Sequence, residues 1–314
     1  MTTTAPLQHP PGHFLQLGER QLWLEREGQG EPVLLVSGLG PAGSHAVFHP
    51  AFSELAADHE VLYLDLRGRG ASPRPRALTE ITFASDVEDV AAAIGAIGRG
   101  PVHLYGFSYG GLLGQALALR HPQLLRSLTL ANTLHSPEMW QANHANINRE
   151  LANQFPELWD EIAALHDRGV QSTAPEMQRL FASAFRLVRF YNPDNAARMS
   201  GLSDPLARNV ELYPLLCGAD VDFIIGGEVP RIPDFRPRLR EIACPLLVLA
   251  GRYDRALYPR WQRDFARHAP QARFVWMERS GSFAHVEEPE ALFGLLREFF
   301  RAAAAPPHPA TPTR

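Results

Sequence analysis

Gly106-Phe107-Ser108-Tyr109-Gly110-Gly111 separates two segments of opposite character. Before it, Val102-His103-Leu104-Tyr105 is short, apolar and β-prone. After it, Leu112-Leu113-Gly114-Gln115-Ala116-Leu117-Ala118-Leu119-Arg120 is helical and stops at His121-Pro122. A Gly-x-Ser-x-Gly set at a strand-to-helix junction makes a sharp turn that lifts the serine hydroxyl above the sheet edge. The helix starting there points free N–H groups and the positive end of its dipole at any negative charge that develops nearby. Ser108 is therefore the candidate nucleophile.

Working outward, strands and helices alternate. Gln21–Glu27 alternates like an edge strand. Val33–Ser37 and Val61–Asp65 are unbroken apolar runs, as expected of strands covered on both faces. Phe52–His59 reads as a helix. Ser85-Asp86-Val87-Glu88 reads as a capping box opening a helix with Val87, Val90, Ile94 and Ile97 on one stripe. Ser127–Ala131 is a further buried strand. The pattern resumes with a strand at Pro245–Ala250, a helix at Pro259–His268, a strand at Arg273–Glu278 and a helix at Pro289–Ala303. Such alternation implies an α/β fold, a mostly parallel central sheet flanked by helices. Residues 134–239 break the rhythm and read as a helical lid, or cap, inserted into a core of 1–133 and 240–303. The proline-rich stretch 304–314 reads as a disordered tail.

A serine hydroxyl needs a base at neutral pH, and the base needs an orienting carboxylate. Catalytic groups in open α/β sheets gather at the carboxyl ends of strands. Asp254 follows one late strand, in Gly251-Arg252-Tyr253-Asp254, and His285 follows the other, in Ser280-Gly-Ser-Phe-Ala-His285. Ser108, Asp254 and His285 are thus the expected relay, with Asn132 at the alternative acid position, where it cannot act as a carboxylate. Tyr109 N–H and Leu39 N–H are the expected oxyanion donors.

The 314 residues, 45% hydrophobic, suffice for a large core, and a net charge of −4 offers no basic footprint for nucleic acid. All 30 basic residues are Arg, which excludes a lysine Schiff base. Gly38-Leu39-Gly40-Pro41-Ala42-Gly43 with Asp65 imitates a dinucleotide fingerprint, but Pro41 removes a donor that a pyrophosphate needs. No cofactor is expected. The 13 histidines show no His-x-His or His-Glu-x-x-His spacing, so no metal site is expected either. Cys217 and Cys244 read as free thiols, with a bridge between them the lesser alternative. No leader pattern or membrane-length apolar run is evident, so the expectation is a cytoplasmic protein with a small-molecule or short-peptide partner.

Asp65-x-Arg67-Gly68-x-Gly70-x-Ser72, Gly106-x-Ser108-x-Gly110-Gly111, Gly251-Arg-Tyr-Asp254 and His285-x-Glu287-Glu288-Pro289 together resemble the proline iminopeptidase branch of the α/β-hydrolases, from about Leu15 to Ala303. The resemblance implies an α/β-hydrolase fold and a serine hydrolase cleaving a small amide, ester or lactone through an acyl-enzyme. A true iminopeptidase releasing N-terminal proline is one alternative; a non-catalytic small-molecule receptor is another. In that branch acidic residues grip the substrate amine, and Asp222 takes the first such place. The second, usually Glu, is Arg255, and the branch's His-Gly-Gly-Pro-Gly entry loop is replaced by Ser37–Gly43. Arg255 implies a substrate with a carboxylate or other acceptor near the scissile bond, or else pairs with Asp222 or Glu228. Gly38, Gly40, Trp140, Asp222, Glu228 and Arg255 are the candidate substrate contacts.

Overall fold

The computed structural model describes residues 8–36 and 39–304. In chain order its strands are β1 (Gly12–Leu17), β2 (Arg20–Glu27), β3 (Glu31–Val36), β4 (His59–Leu64), β5 (Val102–Phe107), β6 (Leu125–Ala131), β7 (Leu246–Gly251) and β8 (Arg273–Met277). They form one sheet in the order β1-β2-β4-β3-β5-β6-β7-β8. The β1–β2 and β2–β4 pairs are antiparallel, and every other pair is parallel. The helices are α1 (Phe83–Ile97), α2 (Tyr109–Arg120), α3 (Pro137–Gln154), α4 (Pro156–Asp167), α5 (Pro175–Arg189), α6 (Leu212–Cys217), α7 (Pro259–His268), α8 (Ala284–Glu287) and α9 (Pro289–Ala304).

The unbroken apolar runs follow from burial on both faces. In β3, Leu34 and Val36 join the core that holds Val87, Val90, Leu112 and Leu113, whereas Val33 and Leu35 join the core of Phe48, Phe52, Phe293 and Phe300. Alternate side chains of one strand thus feed opposite layers, each fully buried residue contributing about 1.5–3 kcal/mol. A third apolar cluster, including Ile147, Leu151, Ile162, Met177 and Leu180 with Ala256, lies mostly in 134–239, a segment with four helices and no strand of the sheet.

Three local expectations change. Residues 51–57 form a 3-10 segment rather than an α-helix, closed by bonds such as Ser53 N–H to Pro50 O (3.1 Å) and Asp58 N–H to Leu55 O (3.2 Å). α1 begins two residues before the proposed box, because Thr82 caps it and exchanges hydrogen bonds with Ser85. The first strand, β1, carried no readable alternation. Both cysteines are free thiols. Among the described residues no helix is long and apolar enough to cross a membrane. Of the expected tail, Ala304 belongs to α9; residues 305–314 and Gly38 lie outside the described residues.

Candidate active site

Ser108 ends the turn between β5 and α2 with φ 52° and ψ −115°, a conformation an L-residue holds only when its surroundings impose it. Glycine at 110 is obligatory, since a Cβ there would meet the Val36 carbonyl oxygen at 2.0 Å. The turn is tied down by Ser108 N–H to Ala131 O (3.0 Å) and Gly111 N–H to Ser108 O (3.0 Å). Tyr109 opens α2, so its N–H precedes the intrahelical ladder, as an oxyanion donor requires.

The loop after β3 is held to this turn by buried charge. Arg69, fully buried, donates through Nε to Pro41 O (2.8 Å) and through Nη1 and Nη2 to the two Asp86 carboxylate oxygens (2.9 and 2.7 Å). Tyr109 Oη donates to the same Asp86 carboxylate at 2.8 Å. One guanidinium therefore joins α1, the Leu39–Pro41 loop and the residue after Ser108. Breaking such a buried pair costs about 3–5 kcal/mol.

Asp254 sits just beyond β7 and is almost wholly enclosed. Its Oδ1 accepts from Ala256 N–H (2.9 Å) and Leu257 N–H (2.8 Å). Its Oδ2 accepts from Asn132 Nδ2 (3.2 Å) and from Ser282 Oγ (2.8 Å). Asn132, also at positive φ, is thus an anchor for the carboxylate. The side chain resting on the acid, where a base belongs, is Ser282.

His285 is elsewhere. Its Nε2–H donates to Val47 O at 3.2 Å, Nδ1 has no partner, and Phe48, Phe52, Phe107 and Phe283 surround the ring. Burial among these rings, opposed only by the Val47 carbonyl, depresses its pKa to about 4. The structure joins it to neither Asp254 nor Ser108. The short helix α8 carries it away from the acid, three residues past Ser282.

Ser108 opens on a cavity of about 510 Å³ whose wall includes Leu39, Gly40, Trp140 and Asp222. Among the described residues His144 is the one imidazole lining it. Its Nδ1 lies 3.3 Å from Asp222 Oδ1, too oblique for a hydrogen bond. α3 holds both partners in place: Asn148 Nδ2 donates to Asp222 O (2.8 Å), and Gln141 bonds the backbones of Phe223 and Ile225 (both 2.9 Å).

Two guanidiniums also face the cavity. Arg189 is half-buried, below its ordinary pKa through desolvation, with Asn143 Oδ1 at 3.3 Å. Arg208 lies 3.8 Å over the Tyr213 ring. Among the described residues neither is joined to a carboxylate. Arg255 and Glu228 are absent from the cavity wall: Arg255 is exposed and donates to Leu187 O (3.3 Å), while Glu228 pairs with Arg231 (2.7 Å). Neither expected Arg255 pairing forms. Sequence reasoning missed Ser282, Arg189, Arg208 and His144. Only Ser282 left a signal, standing closer to the end of β8 than His285 does.

Residues 31–289 match the family model described as the alpha/beta hydrolase fold. The chain belongs to this family. It is a hydrolase of the α/β fold, proline iminopeptidase-like. The proline iminopeptidase of Heyndrickxia coagulans is 25% identical over 88% of this chain and 93% of its own length. The pimeloyl-[acyl-carrier protein] methyl ester esterase of Aeromonas hydrophila subsp. hydrophila is 26% identical over 88% of this chain and 98% of its own. The crystal structure of proline iminopeptidase from Mycobacterium smegmatis superposes with a TM-score of 0.76 at 22% identity, covering 93% of this chain and 98% of that one. This last likeness supports the fold alone.

Proposed function

We propose that this α/β-hydrolase cleaves small esters, amides or lactones that carry an anionic group, with Ser108 as nucleophile. The observation behind it is one cavity wall shared by Ser108, the His144–Asp222 couple and two guanidiniums without carboxylate partners. Ser108 Oγ attacks the acyl carbon as its proton passes to His144, which Asp222 orients and stabilises once charged. Tyr109 N–H and Leu39 N–H receive the oxyanion; losing one such donor costs roughly 3 kcal/mol of transition-state stabilisation. The imidazolium protonates the leaving group, and water, deprotonated by the same imidazole, releases the acid. Asp254, saturated by four donors, is a positioning residue that holds the β7 and β8 ends together. Residues 134–239 act as the lid, supplying His144, Asp222, Arg189 and Arg208.

Two cations against one carboxylate disfavour a substrate ammonium, so release of N-terminal proline is not the preferred activity. A second reading is favoured by Ser282 on Asp254: a hydrolase-fold receptor that binds an anionic ligand without turnover.

Chromogenic acyl substrates with and without a carboxylate, assayed on wild type, Ser108→Ala, His144→Gln and Ser282→His, separate these. The proposal expects turnover favouring carboxylate substrates, lost by roughly 10²-fold or more in both Ser108→Ala and His144→Gln. An inert wild type with an active Ser282→His variant supports the receptor. Full activity in His144→Gln overturns the proposed base.

A further inference from the structure

A polar cluster outside the cavity has a different geometry. His9 precedes β1, Glu25 lies on β2, and His45 and His49 flank the 3-10 turn after the β3 loop. Glu25, His45 and His49 are nearly inaccessible, and His9 covers them from outside. Glu25 Oε2 lies 3.1 Å from His9 Nδ1, 3.0 Å from His45 Nε2 and 3.2 Å from His49 Nε2. His45 Nε2 and His9 Nδ1 are themselves 3.4 Å apart. The four atoms all lie within 4.8 Å of one another.

These separations suit a shared central cation. Zinc bound to imidazole nitrogen at about 2.0–2.1 Å, with tetrahedral angles, sets neighbouring ligand atoms roughly 3.3 Å apart. The rings also fan as ligands do, with interplanar angles of 87°, 72° and 88° between the three pairs.

The outward nitrogens complete the pattern. His45 Nδ1 faces Asp65 Oδ1 at 2.8 Å, and His9 Nε2 faces Asp204 Oδ2 at 2.8 Å. A carboxylate behind an imidazole keeps the proton on the outer nitrogen and leaves the inner lone pair free for a metal. Trp23 Nε1 donates to Glu25 Oε1 at 3.1 Å, which leaves Oε2 for the centre.

We infer that His9 Nδ1, Glu25 Oε2, His45 Nε2 and His49 Nε2 form a four-coordinate structural site for a zinc-class divalent cation. Three nitrogens and one oxygen suit Zn²⁺ and are too few oxygens for Ca²⁺ or Mg²⁺. Four protein ligands close the shell, and none of them lines the Ser108 cavity, so the ion has no substrate position. It would pin the residue 9 segment and the turn at 45–49 to β2. The inference is independent of the hydrolase reading. The sequence search failed because the four ligands come from three separated segments, and His45-Ala-Val-Phe-His49, though it has the His–His interval of His-Glu-x-x-His, has Ala in place of the Glu.

The test uses full-length protein without a histidine tag, expressed with added zinc. Elemental analysis should find about one zinc per chain. Chelation should lower Tm by several degrees, zinc should restore it, and Co²⁺ should give the visible absorption of a four-coordinate centre. His9→Ala changes only the outermost ligand and should fold, with zinc affinity at least about tenfold weaker; Asp204→Asn should weaken it by roughly 10–100-fold. The competing arrangement is a metal-free network of imidazoliums shared among Glu25, Asp65 and Asp204. Absence of stoichiometric zinc together with a Tm indifferent to added Zn²⁺ establishes that network and overturns the site. Undiminished affinity in His9→Ala overturns the ligand assignment.

Discussion

His285 and His45 are hidden from solvent to nearly the same extent, 2% and 3% exposed, in surroundings that favour opposite charge states. His285 lies among four phenylalanines with one backbone carbonyl, and its pKa falls to about 4. His45 lies between Asp65 and Glu25, and with no cation at its Nε2 these carboxylates outweigh desolvation and raise its pKa to about 10. Burial alone therefore does not decide what a histidine can do. An imidazole walled in by aromatic rings is an apolar filler, whereas one backed by a carboxylate is a ligand or a cation. His144, buried with Asp222 Oδ1 3.3 Å from its Nδ1, faces the cavity that Ser108 lines.

The contrast breaks first at Asp65. Its carboxylate accepts from His45 Nδ1 (2.8 Å), His45 N–H (3.0 Å) and Ala71 N–H (2.8 Å). Asp65→Ala strands all three donors and should destabilise the protein by about 3–5 kcal/mol, measured by urea unfolding at pH 7. A loss below 1 kcal/mol would mean that the polar nest is not what holds His45.

The apolar nest is tested by acid. A histidine whose folded pKa lies below its unfolded value of about 6.5 leaves stability intact above pH 6.5 and removes it as pH falls toward 4, because the unfolded chain then binds more protons. His285 can account for at most about 3 kcal/mol of that loss. His285→Phe keeps a ring in the nest, should cost about 1 kcal/mol at pH 7 for the unpaired Val47 carbonyl, and should flatten the decline between pH 6.5 and 4. His103 and His135, also depressed to about 4 by burial, keep the slope from vanishing. An unchanged slope in the variant would place the acid sensitivity elsewhere.

The smallest expected effect sharpens the reading of Asp254. Ser282→Ala removes one of four donors and should cost about 1 kcal/mol, with kcat against the best chromogenic ester changed less than about threefold. A large fall in kcat at unchanged stability would make Ser282 part of the proton relay.

Much of this architecture is legible in short stretches. The apolar runs Val33–Val36, Val61–Leu64 and Leu246–Ala250 announce themselves because a strand buried on both faces carries few polar interruptions. The elbow announces itself because Gly110 has no substitute beneath the Val36 carbonyl. His285 misled for a physical reason: position after β8 limits how far a side chain can reach but not where it points, and four residues of α8 turn the ring beneath Phe48 and Phe52. The cavity-facing places of Arg189 and Arg208 were unreadable because whether a cation lacks a carboxylate partner is set by tertiary contacts. That depends on how the helices of 134–239 meet.

Periodicity and glycine placement act over a few residues, so composition and order alone sufficed for the layered α/β fold, the strand-to-helix turn at Ser108 and the place of Asp254 beyond β7. Partnership is different. Whether Asp254 meets an imidazole or a hydroxyl, and whether histidines at 9, 45 and 49 converge on Glu25, depends on contacts between segments distant along the chain. Such contacts obey no local spacing rule, because loop and helix directions set by packing decide which side chains face one another.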